Sequence, residues 1–546
     1  MRILVFTISI LSCSQLFSQV TITAGKPYPD LGLSLNYFRK GNYVVALKWD
    51  GKKPTLQQYD VTSLTQKRVL SYDDFPKKFE TQRILKIGQS LYLIYSVKEK
   101  YAISFFARKI DIERGEFVDA GRKIAEIQDA VADDIGGSYS PWSPAFAVEH
   151  GQFKIYTSTD TSKLAICYRV QPKGSNPSTK FEENGVWIFD SSLTEEWHGT
   201  IAMPYSEKKM DIWRRAIDSK GNFYFFISKF NDDTTQKKKG GLPNYSLEVL
   251  SFNPSSSKLL TTPIEFKNKF FHSVMFGEYS GGMMCFGYYN SGKDVPLFVQ
   301  RNGQQDVGGV FALTLYGDGT HSRIIMHEIP IEVINEGETQ SVQEKNLKKS
   351  EKELVEFPFL SLHGYTITKD GGIIISGESQ FYISGQNGNT YFCFNDGLFV
   401  KILPDGKLGW IKKMRKEQGG SSISRGKSYR YLGRHGSIHN FLYIDSESNI
   451  NLKPGESVKE YSDDISADGM LVLWCLNEET GEVKKQFLTD MGNTNGLHFY
   501  EFYTHRVVPI DKMSFIFEAE LRTVKPFSTT GQEMKQGILV KVEIKE

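Results

Sequence analysis

Aromatic and basic side chains are concentrated in four short segments that could bind an anionic or sugar-like ligand. These segments are residues 138–142, 211–215, 426–435 and 498–506. Guanidinium groups bind anionic oxygens through charge-assisted hydrogen bonds, and aromatic rings supply stacking and cation–π contacts. The residues predicted to contact such a ligand are Trp142, Trp213, Arg215, His363, Tyr365, Arg434, His435 and Arg506.

Three of these side chains, Arg215, Tyr365 and Arg506, fall at one equivalent position when the repeating units described below are aligned on their tight turns. That position lies on the strand expected to line a central channel, where a ring of cationic and aromatic groups could hold a ligand. The competing interpretation is that these side chains hydrogen-bond to backbone carbonyls around a wet channel, because buried polar groups need partners. The sequence favours this structural interpretation over ligand binding.

Three sequence patterns approach known catalytic or metal-binding motifs, and each lacks a required feature. Residues 421–428 approach a phosphate-binding loop, but Ser421 replaces its first glycine and no helix is expected to follow. Residues 445–456 have oxygen ligands at calcium-loop spacing, but Ile450 occupies the position that needs glycine. His435 and His439 lie on a strand-like stretch, and a zinc site would need a third ligand. We therefore predict no metal and no cofactor, and the sequence identifies no catalytic residue.

The charge balance limits the classes of partner, and the first residues indicate the cellular compartment. The 66 basic residues are balanced by 64 acidic ones, which gives no argument for nucleic acid or for an anionic membrane as a partner. Residues 1–19 have the pattern of a secretory signal peptide, with Arg2 before an apolar run that is shorter than the roughly 20 residues needed to cross a bilayer. We expect export to the periplasm, the cell surface or the medium, without lipid attachment at Cys13 and without a later membrane span.

Residues 20–546 have the pattern of one large antiparallel β domain. Short apolar or alternating runs are separated by Asp-Gly, Asn-Gly and Gly-Gly turns, and 13% of the residues are aromatic, which suits strands. The runs recur as a unit of strand, tight turn, strand, long loop, strand, tight turn and strand. Four antiparallel strands in each unit indicate a β-propeller blade. The most regular copies of the third strand begin at Gly185, Gly309, Gly397, Gly469 and Gly537.

The sequence therefore predicts an all-β fold, a single β-propeller of seven or eight four-stranded blades. Because the chain ends after the third strand of its last unit, we expect the strand that begins at Val20 to supply the fourth and close the ring, which removes exposed sheet edges. Residues 335–355 are charged and are predicted to form an exposed insertion. Buried free thiols are expected at Cys167, Cys285, Cys393 and Cys475.

Two units also resemble a known family of repeats. In one unit, residues 368–377 (TKDGGIIISG) precede residues 400–410 (VKILPDGKLGW), and residues 189–197 form a partial second copy. These segments resemble the repeats of secreted bacterial propellers, which are similar to those of pyrroloquinoline-quinone-type propellers. The resemblance implies the fold, with Trp197 and Trp410 packed between neighbouring blades. It does not extend to the quinone cofactor, because the adjacent cysteine pair of the quinone enzymes is absent from this sequence.

The length of the loops predicts which face of the propeller binds a partner. Tight turns should lie on one face, and the longer loops, which usually carry binding, on the other. The leading hypothesis is non-catalytic binding of a protein or glycan at the cell envelope. A carbohydrate-active hydrolase or lyase with a site in the central depression, and a subunit of an envelope secretion or motility machine, are alternatives, since propellers host unrelated functions. The predicted long loops are residues 172–184, 231–244, 291–308, 382–396, 446–464 and 523–536.

Overall fold

The computed structural model shows eight antiparallel sheets that follow one another along the chain as the blades of a β-propeller. The predicted signal peptide, Cys13 and Trp142 lie outside the described residues. The structure describes residues 20–29, 34–50, 53–128, 131–132, 152–171, 180–232, 237–266, 268–279, 282–292, 306–384, 389–421, 426–453, 455–462, 469–494, 499–522 and 535–544.

The chain begins with two short strands, β1 (Val20–Ala24) and β2 (Tyr28–Pro29), and then forms its blades in order. Within each blade, the strands follow from the innermost to the outermost. Blade 1 contains β3 (Ser34–Lys40), β4 (Tyr43–Asp50), β5 (Lys53–Asp60) and β6 (Thr65–Ser71); blade 2 contains β7 (Phe79–Ile87), β8 (Ser90–Lys98), β9 (Ile103–Asp111), β10 (Glu116–Phe117) and β11 (Arg122–Ile127). Blade 3 contains β12 (Phe153–Thr157), β13 (Leu164–Arg169), β14 (Phe181–Phe189) and β15 (Glu195–Ser206); blade 4 contains β16 (Met210–Ile217), β17 (Phe223–Phe230), β20 (Tyr245–Asn253) and β21 (Lys258–Ile264), with the ribbon β18 (Lys238–Lys239) and β19 (Leu242–Pro243) in its loop.

The second half of the chain adds two helices and two small accessory strands to the same plan. Blade 5 contains β22 (Phe270–Tyr279), β23 (Gly282–Asn290), β24 (Gly309–Leu315) and β25 (Ile325–Glu328), and is followed by α1 (Ile331–Asn335) and α2 (Gln340–Ser350). Blade 6 contains β26 (Leu360–Ile367), β27 (Ile373–Ser384), β28 (Thr390–Ile402) and β29 (Leu408–Met414), with β30 (Gln418–Gly420) and β33 (Tyr461–Ser462) added; blade 7 contains β31 (Arg430–His435), β32 (Ile438–Ser446), β34 (Gly469–Asn477) and β35 (Val483–Asp490), with a 3-10 turn at Glu447–Asn449. Blade 8 contains β36 (Phe499–Pro509), β37 (Ser514–Arg522), β38 (Lys535–Ile544) and β1.

The ring is closed by strands from both ends of the described chain, as the sequence predicts. Strand β1 pairs antiparallel with β38, from Val20 opposite Ile544 to Ala24 opposite Val540. Strand β2 continues along β38, with Tyr28 opposite Gly537. The N-terminal strand is therefore the outermost strand of blade 8, and the predicted closure is confirmed, with eight blades.

Apolar side chains hold the blades together. The buried residues fall into eight clusters, one between each pair of neighbouring blades, including blades 8 and 1. A central strand such as β28 buries side chains on both faces: Val400 packs towards blade 5, and Phe399 packs towards blade 7. Trp410 donates its Nε1–H to the Glu478 carbonyl of blade 7 at 3.1 Å. Trp197 packs on Phe252 of blade 4, so both tryptophans of the repeat contact the next blade.

Because neighbouring strands run antiparallel, the tight turns within strand pairs lie on one face of the ring, here called the tight-turn face. The remaining connections lie on the opposite, looped face, and they include α1 and α2. The prediction that residues 382–396 form a loop is wrong, since strands β27 and β28 pair as far as Ser384 opposite Thr390. Apolar residues on both strands keep the ladder paired, and the hairpin extends beyond the blade. The four described cysteines are free thiols, and all but the half-buried Cys475 are buried.

Within the described segments, no helix is both long and apolar enough to cross a membrane.

Candidate functional site

Extra residues in the innermost strands set the orientation of two predicted site residues. Trp213 and His363 each bulge out of the ladder that pairs the first and second strands of their blades. A bulge re-aims a side chain: Trp213 donates its Nε1–H to Ser228 Oγ at 3.0 Å, and His363 Nε2 lies 2.6 Å from Gln380 Nε2. Both residues precede the end of their strand by the same interval. This common spacing is the feature of the sequence that could have identified the two bulges.

Arg215 and Arg506 lie on innermost strands, as predicted, but their side chains serve contacts between and within blades. Arg215 donates to Asn184 Oδ1 at 3.1 Å and to Glu182 Oε1 at 3.3 Å, both in blade 3. Arg506 donates to Glu518 Oε2 at 2.9 Å. Both residues are buried. These partners are side-chain oxygens, whereas the structural interpretation predicted backbone carbonyls.

Glu518 is the centre of a buried polar cluster where blade 8 meets blade 1. Its carboxylate accepts hydrogen bonds from Lys48 Nζ at 2.7 Å, from Arg506, and from the hydroxyls of Tyr28, Tyr37 and Tyr59. Burial acts to raise the pKa of Glu518, but the two cations override it and lower that pKa to about 2. A carboxyl group that stays ionised in this way cannot act as a general acid near neutral pH.

A second buried cluster, in blade 6, places His363 beside an ion pair. Lys416 Nζ lies 2.6 Å from Glu378 Oε1, and neither side chain is exposed. His363 Nε2 lies 3.6 Å from Glu378 Oε2. Burial lowers the pKa of His363, which keeps the imidazole neutral so that Nε2 can accept a hydrogen bond from Gln380. Lys416 also donates to the Phe394 carbonyl at 2.8 Å, so the cluster has the character of a structural support.

Tyr365 lies at the tight-turn mouth of the channel and bridges it. Its hydroxyl is 3.3 Å from Thr159 Oγ1, which belongs to a turn of blade 3. Thr159 Oγ1 also accepts the backbone N–H of Glu278 in blade 5. A cavity of about 500 Å³ surrounds this bridge and is lined by hydroxyl groups and apolar side chains of blades 3 to 6.

Arg434 and His435 do not lie on the predicted looped face. They are the last residues of β31, immediately before the turn at Gly436, and therefore reach the tight-turn face. Arg434 donates to the Ile367 carbonyl at 3.1 Å and lies 3.4 Å from Glu478. The last residues of the predicted segment 426–435 cross the blade as strand β31. Both residues line a small cavity of about 110 Å³ between blades 7 and 8.

Arg430, at the start of the same strand, is a basic residue whose importance the sequence analysis missed. Its Nε has no hydrogen-bond partner among the described residues, and burial alone lowers the pKa of the guanidinium. It lies opposite Leu442 on the side that faces blade 8. Arg430 is half-buried, and a partly desolvated cation without an anion among the described residues is costly, so this position could accept an anionic group.

We expect Arg430→Met to raise the free energy of unfolding by about 1–2 kcal/mol, because methionine fills similar space without a desolvated charge. Urea titration of the wild-type and variant proteins measures the difference. The matched control is Arg434→Met, which removes a guanidinium that has partners and should be neutral or destabilising. Equal destabilisation by both substitutions would mean that Arg430 has a stabilising partner after all.

A cavity on the looped face lies between the helical insertion and blade 6. We call it the insertion groove; its volume is about 390 Å³. One face of α2 lines one wall, through residues spaced at about one helical turn. The opposite wall comes from the segment before β26 and from β27 and β28. The lining residues used below are Glu338, Val342, Asn346, Lys349, Phe359, Phe381, Asp396 and Lys413.

Lys413 fixes the insertion to the blade. Its buried ammonium donates to the carbonyls of Ile334 at 3.3 Å and Glu336 at 3.0 Å, which end helix α1. It also forms ion pairs with Asp396 at 3.0 Å and Glu338 at 3.2 Å. Cations stabilise the unsatisfied carbonyls at a helix C-terminus. The groove therefore has a fixed wall, and its central charges, one ammonium and two carboxylates, are held together as ion pairs.

The floor of the insertion groove is aromatic and partly open to solvent. The rings of Phe359 and Phe381 lie 4.9 Å apart, and neither residue is fully buried. Phe359 has a backbone φ of 49°, which is unfavourable for a bulky residue. Residues with strained backbones of this kind cluster at functional sites. Beyond it, Ile383 is 55% exposed. The groove thus offers apolar contacts on a rigid support.

No group of three His, Cys, Asp or Glu side chains that could hold a metal ion occurs in the part of the chain that the structure describes.

Comparisons with known proteins yield structural likenesses alone. No family model and no curated protein matches the sequence. The Dos1 propeller is 10% identical, with a TM-score of 0.38 over 95% of this chain and 94% of that one. The polysaccharide lyase Uly1 is 9% identical, with a TM-score of 0.35 over 94% and 90%. A post-proline cleaving enzyme from Rickettsia typhi is 12% identical, with a TM-score of 0.35 over 91% of this chain and 58% of the enzyme.

Proposed function

We propose that this chain is an exported, non-catalytic β-propeller that binds a partner protein through the insertion groove on its looped face. The observation that carries the proposal is the groove itself, with its aromatic floor, its helical wall and its internally paired charges. Partly exposed aromatic side chains on a rigid support are the usual anchors of protein interfaces. The exposed Val342 and Ile383, at 36% and 55%, extend the apolar surface.

The state of the buried carboxylates supports a binding role over hydrolysis. Glu378 and Glu518 are each held by cations and by hydrogen-bond donors inside the protein. Hydrolysis of a glycoside needs one carboxyl group that can donate a proton and a second that faces it across an open pocket. The fixed ionisation of these two groups suits a structural role.

The position of the closing strand is compatible with export. Strand β1 begins at Val20, the residue after the predicted signal peptide. Cleavage at that point would leave the whole of the β1–β38 ladder intact.

The test is capture of partners from envelope extracts by the mature protein, with a variant that fills the groove. Val342→Trp places an indole in the insertion groove, and Leu347→Trp places it on another side of the same helix, where Leu347 is 49% exposed. We expect a stoichiometric partner to bind the wild-type and Leu347→Trp proteins and to lose about tenfold in affinity for Val342→Trp. Equal binding by both variants would rule out the groove.

A second candidate is binding of an acidic glycan beside Arg430, which the uncompensated guanidinium favours. A glycan array that includes uronic acid and sulfated polymers tests it, with Arg430→Met as the variant. Binding that needs Arg430 would move the ligand site from the groove to the channel wall. Absence of binding to all acidic glycans would remove this candidate.

A further inference from the structure

Among the described residues, no strand pairs with the end of β27 on the side next to the insertion groove. Strand β26 pairs with β27 only as far as Leu360 opposite Ser379, and the last bond between them runs from Gln380 N–H to the Phe359 carbonyl at 2.9 Å. On its other side, β27 stays paired with β28 up to Ser384 opposite Thr390. Past Gln380, no described strand pairs with the first side of β27.

The direction of the backbone groups on this edge follows from the strand geometry. The N–H and C=O of one residue point to the same side of a strand, and those of the next residue point to the other side. Because Gln380 N–H points towards β26, the backbone groups of Tyr382 and Ser384 also point to that open side. Those of Phe381 and Ile383 point to β28, opposite Cys393 and Tyr391. An edge of this kind is a template for a further strand.

Side chains beside the edge indicate what kind of strand fits it. Phe381 faces the insertion groove and packs on Phe359, and the strongly exposed Ile383 lies on the same face two residues further on. Tyr382 is directed to the opposite face, with its ring 6.3 Å from that of Phe392. An added strand would therefore place alternate side chains over an apolar surface.

The charges around the groove are already paired with one another. Lys413 pairs with both Asp396 and Glu338, which leaves one net negative charge, and Lys349 lies 3.8 Å from Glu353. An acidic segment would add negative charge to this excess or have to break these pairs, which is costly. The electrostatics consequently disfavour an acidic segment.

We propose that an extended segment of the partner protein, apolar at alternate residues and without acidic residues, adds as a strand to β27 along Phe381–Ser384. Its backbone bonds to Tyr382 and Ser384, and its alternate side chains enter the insertion groove between β27 and α2. Backbone pairing supplies affinity, and the groove supplies specificity, as in other cases of strand addition. This inference rests on the proposed function and specifies how the partner is held.

The test compares two substitutions at Tyr382. Tyr382→Pro removes the N–H that points to the open side, while the ladder with β28 does not use that donor. Tyr382→Val is the matched control, because it keeps the N–H and changes only the side chain on the face away from the groove. Both variants are first checked for unaltered thermal unfolding. The probe is a library of random twelve-residue peptides displayed on phage and selected on the mature wild-type protein.

We expect the selected peptides to be apolar at alternate positions, to bind Tyr382→Val as they bind the wild type, and to lose about tenfold in affinity for Tyr382→Pro, equivalent to the loss of one net hydrogen bond. Methylation of alternate backbone nitrogens in a selected peptide should have the same effect. Equal binding by the two variants, or selected peptides without alternation, would overturn strand addition. A partner that is sensitive to Val342→Trp but not to Tyr382→Pro would leave the proposed function standing and remove only this inference.

Discussion

Replacing Glu518 by glutamine is expected to lower the free energy of unfolding by about 3–5 kcal/mol, because it leaves two buried cations without their anion. Lys48 and Arg506 both contact this carboxylate and have side chains that are 0% and 3% exposed. The lost interactions lie where blade 8 meets blade 1. Chemical denaturation of the two proteins gives the difference directly.

The matched control for Glu518→Gln is Glu113→Gln. Glu113 pairs with Lys40 at 2.7 Å, but the two side chains are 54% and 60% exposed. Water screens both charges of such a surface pair, so Glu113→Gln should change the free energy of unfolding little. Similar effects of the two substitutions would mean that the cluster around Glu518 is hydrated and that burial does not govern its strength.

The same carboxylate predicts how stability depends on pH. The folded-state pKa of Glu518 is about 2, below the value for an unfolded chain. Its contribution is therefore present in full above pH 5 and is lost as the pH falls from there towards 2. The difference in stability between the wild type and Glu518→Gln should shrink over this interval. A constant difference down to pH 2 would contradict the assignment.

The second large effect is expected at the Glu378–Lys416 pair. Each single substitution, Glu378→Leu or Lys416→Met, should cost about 3–5 kcal/mol, since it leaves the other charge buried and alone. Both side chains are fully buried, and their charged atoms are 2.6 Å apart. The double variant should cost less than the sum of the single costs by about 2 kcal/mol or more. A denaturation cycle of the four proteins measures this coupling, and additive costs would show that the two charges act independently.

The repeated features of the fold were predictable from sequence because each is local. The third strands that begin near Gly309 and Gly469, and the turns before their partner strands, depend on residues close together in the chain. Closure by the strand at Val20 followed from counting strands in the last unit. These predictions need only periodicity and turn chemistry.

The candidate site was harder to predict because its parts come from distant segments. The cation that pairs with Glu518 at Lys48 lies 470 residues away in the chain, and no local pattern connects the two. The only local signal of this buried cluster was that Glu518 is a charged residue inside an apolar run. The extension of β27 past Gln380 was read as a loop, because the predicted unit ended its second strand at the blade edge. Its alternating apolar residues opposite Tyr391 and Cys393 were the signal that could have revealed it.

The pairing of β1 with β38 also sets the order in which the molecule can be completed. The residues at Val20 are synthesised before all other described residues, yet their partner strand ends at Ile544. Blades 1 to 7 can form from neighbouring segments as the chain emerges, whereas blade 8 must wait for both ends. Closing so long a loop has an entropic cost and slows folding. Blade 8 can therefore be completed only after β38 has been synthesised, and until then β1 lacks the strand with which it pairs.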